Sequence, residues 1–332
     1  MQRYYIQILC LIIITILNSC EADFNVTAPY KETTVVYGLL DAADSVQWVR
    51  INKTFLGEGD AYVMAQQPDS TNFPDILDVK LEAYNTAGTL IQTLMLKRDS
   101  SIQLEPGIFA SSPNILYRTK PGEVIKQENK YKLVIYNRES GKTVTALTNV
   151  VDEMFINYPY QGIQFNWFNE GEDPNKYVQI KWATVPEGVV YQLTIRFHYD
   201  ESNVTNPSDT VHKYIDWVFP EITTGSGQSQ NLSLQIQGND FYKYISDNIK
   251  PENNIIRKIG HLDFNFTVGA EEFNTYIVVN QPPTGANQNI PQFTNIDGGI
   301  GIFSSRLNQS VKNIDMNTNC ENLLRNLGLG FY

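Results

Sequence analysis

Residues 131–150 read Tyr131-Lys132-Leu133-Val134-Ile135-Tyr136, then Asn137-Arg138-Glu139-Ser140-Gly141-Lys142, then Thr143 through Val150. Two strand-forming runs flank six turn-forming residues, which is the composition of a β-hairpin. A second hairpin precedes it. In Asp78–Tyr84, Val79, Leu81 and Ala83 alternate with Lys80 and Glu82, and the turn Asn85-Thr86-Ala87-Gly88 leads into Thr89–Leu96. Upstream, Thr33–Leu40 and Ser45–Phe55 read as strands around a turn at Asp41–Asp44, and 57–76 reads as a long loop. Strands at this spacing predict an antiparallel sandwich of immunoglobulin-like size over 33–150.

Downstream, Gln164–Phe168 reads as a strand and Asn169–Asn175 as an acidic loop. Tyr177–Thr184 and Val190–Tyr199 read as long strands joined by Pro186-Glu187-Gly188. This order of Trp-strand, acidic turn and Tyr-strand resembles the early strands of fibronectin type III modules, which makes Trp167 core filling. One helix is expected over 240–249. Asp240 reads as its N-cap, and Phe241, Tyr244, Ile245 and Ile249 share a face before Pro251. Strands at His261–Val268 and Tyr276–Asn280, a Pro/Gly/Asn-rich stretch over 281–301 and a short helix near Glu321–Leu327 complete the reading. The expected fold is mainly β: two antiparallel β-sandwich units, immunoglobulin- or fibronectin-like, over 33–150 and 151–332, with one or two short helices in the second. Within the second unit, Gly298, Gly299 and Gly301 read as a structural turn and not as a phosphate cradle, because no P-loop lysine accompanies them.

Composition narrows the function. The 332 residues include 19 Tyr and 16 Phe but only 3 His, a bias that suits pleated sheet. With 25 basic and 36 acidic residues, the net charge of −11 repels phosphate backbones, so nucleic-acid binding is not expected.

The first residues read as an export signal. Arg3 precedes an apolar run from Ile8 to Leu17, which is about half the length needed to span a ~30 Å hydrocarbon core. Leu17-Asn18-Ser19-Cys20 resembles the lipobox of bacterial lipoproteins, with Asn18 in place of the usual small residue. That resemblance implies cleavage before Cys20, acylation (palmitate among the expected chains) on its thiol and new amine, and a membrane held by the lipid anchor. Residues 1–19 would then be the signal peptide and 20–32 a lipidated tether. Removal of Cys10 leaves Cys20 and Cys320, too few for a disulfide framework. Glu21 and Asp23 resemble the acids that direct some lipoproteins to the outer leaflet of the outer membrane.

Thr34–Asp41, the helix around Phe241–Ile245 and Phe293–Phe303 together resemble a family of Bacteroidota cell-envelope lipoproteins that share a domain of unknown function. Such proteins are found with TonB-dependent outer-membrane receptors. The resemblance implies a location and a partner of that kind, and it carries over no catalytic residues.

Sites for chemistry are sparse in the sequence. His198, His212 and His261 lie far apart, and His198 with Asp200, or His212 with Asp209, reads as a fragment of a metal site without the rest of a ligand pattern. Glu170, Glu172 and Asp173 are the calcium candidates, since hard cations favour clustered oxygens, although a solvated acidic turn explains them as well. Trp48, Trp182 and Trp217 are the ligand-binding candidates, each competing with core packing. Glu271-Glu272 are expected to point to opposite faces of a strand. The leading expectation is a non-catalytic, lipid-anchored envelope protein, accessory to outer-membrane uptake or surface ligand binding. A surface-polymer hydrolase using carboxylates and a structural or adhesive component are the alternatives.

Overall fold

The computed structural model describes residues 32–55, 60–105, 107–168, 173, 175–225, 227, 230–281 and 292–332. The signal segment, Cys20 and all of the tether but Glu32 lie outside the described residues, as do Glu170 and Glu172.

The fold is mainly β, and its hydrogen-bonded path explains how the N-terminal core closes. β1 (Thr34–Leu40) pairs with β2 (Trp48–Lys53), and β3 (Leu77–Tyr84) forms a hairpin with β4 (Leu90–Asp99). The short β5 (Leu116–Arg118) bridges β2 and β4. β6 (Lys130–Asn137) and β7 (Thr143–Asn149) are the hairpin expected over 131–150, and β6 lies against β3. The expected loop over 57–76 instead contains α1 (Ala61–Ala65), where Asp60 accepts the Tyr62 N–H at 2.8 Å, and α2 (Pro68–Thr71), with proline in its first turn.

Further along the chain, β8 (Ile156–Tyr158), β9 (Gln164–Phe165), β10 (Tyr177–Ala183), β11 (Val190–Asn203), β12 (Asn206–Val218), β13 (Ile222–Thr223) and β14 (Asn231–Gln237) precede β15 (Ile255–Gly269). Near the end, β16 (Ile296–Asp297) pairs with β7, and β17 (Gly299–Met316) pairs parallel with β1. The path therefore runs from β17 through β1, β2, β5, β4, β3, β6 and β7 to β16, returning to the segment where it began. It encloses a cluster that includes Val36, Ile51, Leu81, Leu133 and Phe303. The sheet is thus mixed, and the expectation of wholly antiparallel pairing is corrected: β1 takes its parallel neighbour from the far end of the chain, a pairing no local pattern encodes. Gly301 permits it. Its φ is 110°, and a Cβ there would sit 2.0 Å from the Val36 carbonyl oxygen.

β17 runs on into a second cluster, pairing with β15, which pairs with β11, which pairs with the edge strand β12. A separate three-stranded sheet orders β14, β10 and β8. Side chains from both sheets share one core with Trp167, Trp182, Phe197, Phe264 and Phe266. The two long strands expected to neighbour each other, β10 and β11, belong to different sheets. Val150 belongs to one cluster and Val151 to the other, but Ile296 and Phe303 return to the first, and Thr33–Tyr332 holds together as one compact unit.

The helices refine the reading further. α3 (Gly238–Asn248) buries Phe241, Tyr242 and Ile245, with Tyr244 half-buried, but it starts before Asp240, which lies in its first turn and does not cap it. The strand expected over 276–280 is instead the end of α4 (Glu271–Val279). Glu271 and Glu272 occupy its first turn, where carboxylates complement the helix dipole. α5 (Thr318–Arg325) is capped by Asn317, which accepts the Cys320 N–H at 2.8 Å.

Candidate ligand cleft and histidine array

β1 and β2 present Tyr37 and Arg50 directly opposite each other. The pair borders a cleft of about 590 Å³ whose wall includes Val35, Phe55, Leu104 and Phe109. It also borders a neighbouring hollow of about 390 Å³ that includes Trp48, Phe273 and Tyr276. Tyr37 and Tyr276 meet edge to face, with ring centroids 6.3 Å apart, and burial together with the Tyr37 hydroxyl pushes the Tyr276 phenol up to about 12. Among the described residues Arg50 makes no side-chain hydrogen bond or ion pair, and burial alone pulls its guanidinium below the ordinary arginine value. A half-buried cation with no counter-charge among the described residues, set beside aromatic rings, has the chemistry to accept an anionic group with an apolar body.

The ligand-contact tryptophans separate cleanly. Trp48 is half-buried, lines the smaller hollow and lies under the Arg118 guanidinium at 5.8 Å. Trp182 is 1% exposed inside the core, its ring 5.4 Å from Phe266, so no ligand reaches it from solvent. Trp217 is half-buried and stacks on Tyr244 at 5.3 Å, packed against the core and away from both hollows. Trp167 is fully buried, stacked on Phe241 at 4.5 Å. Of the calcium candidates, only Asp173 is described, and its carboxylate accepts from the Asn175 backbone and side-chain amides at 2.9 and 3.0 Å. A third cavity, about 670 Å³, carries Glu128, Asp152 and Glu187 on its wall. Among the described residues no hydrogen bond joins any two of these three acids, and Glu187 is held by Asn149.

The second site was scattered in the sequence. On β11 and β15 one face is core, and the other, continued by the edge strand β12, carries a polar array. Arg196, His198 and Asp200 alternate along β11 and stand opposite Asp216, Tyr214 and His212 of β12. His212 Nδ1 lies 2.9 Å from Asp200, His212 Nε2 lies 3.0 Å from His198 Nδ1, and His198 Nε2 lies 3.0 Å from Asp263 on β15. The His261 ring stacks on His198 with centroids 4.3 Å apart, and its Nε2 is 3.8 Å from Asp263. Burial pushes the His198 imidazole below the ordinary histidine value, against the opposing pull of Asp263. All three histidines therefore converge. Their carboxylate partners differ from those expected: Asp200 serves His212, and His198 takes Asp263. The alternation of Arg196, His198 and Asp200 is a readable signal, whereas β12 offers none, because a largely exposed edge strand shows little apolar period.

A scan against protein-family models and a search of curated proteins found no match to the chain.

Two β-bulges build the array. Between Phe197 and Tyr199 the β11–β15 register shifts, so Gly260 and His261 together face His198. A Cβ on Gly260 would lie 2.4 Å from the His198 carbonyl oxygen, so only glycine lets the strands approach here. The β15–β17 register shifts again between Leu262 and Phe264, and Asn313, at φ 56°, donates its N–H to Asp263 Oδ1 at 2.8 Å.

Proposed function

We propose that this chain is a lipid-anchored envelope protein, acylated at Cys20, whose β body binds an organic anion at the Arg50 cleft beside an outer-membrane uptake receptor. It is a binding protein and not an enzyme. The observation that carries the binding half is the guanidinium of Arg50, which has no counter-charge among the described residues and sits between two aromatic hollows. The anchoring half rests on Leu17-Asn18-Ser19-Cys20 and the acids that follow. The partner, a TonB-dependent receptor, rests on the family resemblance alone. The two β units belong to this reading as sandwich-like bodies of immunoglobulin or fibronectin type, supported by separate hydrophobic clusters that meet between Val150 and Val151.

Purification of the full chain from membranes in mild detergent tests both halves. Labelled palmitate should enter the protein and be absent from Cys20→Ser. Mass spectrometry of released small molecules should find an organic acid on the wild-type chain that Arg50→Ala no longer retains. A preparation with no acyl chain, no retained acid and no co-purifying receptor would end this reading.

A further inference from the structure

We propose that His198 Nε2, His261 Nε2 and Asp263 form a binding site for one divalent transition metal ion, with His212 and Asp200 as its outer support. The site is independent of the Arg50 cleft. The three residues offer ligand atoms within 4.8 Å of one another; His198 Nε2 lies 3.0 Å from Asp263 Oδ2 and His261 Nε2 3.8 Å from Oδ1. Ligand atoms around one tetrahedral ion, at bonds of ~2.1 Å, sit about 3–3.5 Å apart, so small rotations of the rings close the set.

Hydrogen counting leaves one place in the array that a cation can take. The contacts Asp200–His212, His212–His198 and His198–Asp263 form a row of three short bonds between two imidazoles and two carboxylates. Three bonds need three protons, yet two neutral rings carry two. A third proton on one ring completes the row, and a cation between His198 Nε2 and Asp263 completes it equally while also engaging His261. His198 Nδ1–H then donates to His212 Nε2, and His212 Nδ1–H donates to Asp200. A ligating histidine whose second nitrogen is fixed by a partner ending in a carboxylate is the usual outer arrangement of a bound metal.

The surroundings are prepared for such an ion. Asn313 N–H fixes the Asp263 carboxylate, and both bulges converge on the residues that supply ligands. Arg196, opposite Asp263 in register, is clamped by Asp216 through two bonds of 2.6 and 2.8 Å, so its charge is already countered. Two imidazoles and one carboxylate suit zinc, iron(II), nickel or copper better than calcium. The side chains of His198 and Asp263 are 12% exposed and that of His261 29%, which leaves coordination positions open to solvent or to a donor atom of a ligand.

Titration of the chelator-stripped full chain in detergent with Zn²⁺, followed by calorimetry, should give a single saturable site. Co²⁺ in its place should give visible absorption bands of a nitrogen–oxygen ligand set. His261→Ala and Asp263→Asn should abolish both signals, and His212→Ala should weaken Zn²⁺ on the order of 10–100-fold while circular dichroism confirms the fold. Because His261 is partly exposed, His261→Ala keeps the test sound even where Asp263→Asn fails to fold. No saturable Zn²⁺ binding, or affinity unchanged in His261→Ala, overturns the assignment.

Discussion

The two faces of β11 and β15 are made by the same strands and obey different rules. Toward the core, Phe197, Tyr199, Phe264 and Phe266 are buried, and they bind the sheet to Phe165, Phe241 and Trp182. Toward solvent, Arg196, His198, Asp263 and His261 gain little from water exclusion and are held by specific pairs. Burial is additive and tolerant, whereas the outer face depends on each partner being in place. The difference predicts that inner substitutions alter stability and outer ones alter chemistry.

The largest effect is expected at Phe264, which is fully buried beside Phe165 at 4.9 Å. Phe264→Ala should cost ~3–5 kcal/mol in denaturant unfolding, from lost burial and the cavity left behind. A loss below ~1 kcal/mol would mean the inner face does not carry the fold.

Gly260 joins the two faces, because its backbone contact with His198 lies between core and array. Gly260→Ala should cost on the order of 1–3 kcal/mol, since the clash is with a carbonyl oxygen and not with a movable side chain. It should also displace the His198 ring from Asp263, visible as altered histidine resonances. Stability lost with those resonances unchanged would separate the two faces more sharply than proposed here.

At the end of the inner face the rule changes again. Glu201 contacts Lys213 and lies 3.1 Å from Arg257, which is 2% exposed and also donates to the Leu329 carbonyl. Burial raises the Glu201 carboxyl, but Lys213 and Arg257 outweigh it and hold the pKa below the ordinary 4.5. A depressed carboxylate stabilises the folded chain above its unfolded pKa and loses that contribution as pH falls through the folded value. Stability should therefore decline below pH 4.5, and Glu201→Gln should be less stable at neutral pH and flatter on the acid side. An unchanged acid slope in that variant would remove Glu201 from the account.

Much of the apolar packing could be read in the sequence, and little of the long-range pairing. The hairpins at 77–99 and 130–149 and the buried face of α3 announce themselves through local apolar period. The parallel union of β1 with β17 and the meeting of His198 with Asp263 depend on residues far apart in the chain, which periodicity does not couple. Local chemistry also misled. Tyr276–Val279 is apolar enough to pass for a strand, yet Glu271 and Glu272 favour a helix start. Trp48 and Trp182 sit in similar strand-like runs, and only the three-dimensional pairing decides which one faces a cavity.

The smallest stability effect is expected at Asp216, and it tests the contrast most directly. Its pair with Arg196 is about one-third exposed on each side, and such pairs contribute ~0.2–1 kcal/mol. Asp216→Asn should therefore leave the unfolding midpoint almost unchanged. It also releases a guanidinium on the residue that stands directly opposite Asp263 in the β11–β15 register. Freed of its clamp, Arg196 can turn toward that carboxylate and compete with a cation for it, so Zn²⁺ affinity should fall on the order of 10-fold. Arg196→Gln with Asp216→Asn removes the competitor and should restore the affinity. A double variant that binds as weakly as the single one would show that Asp216 shapes the array through the backbone of β12 and not through charge.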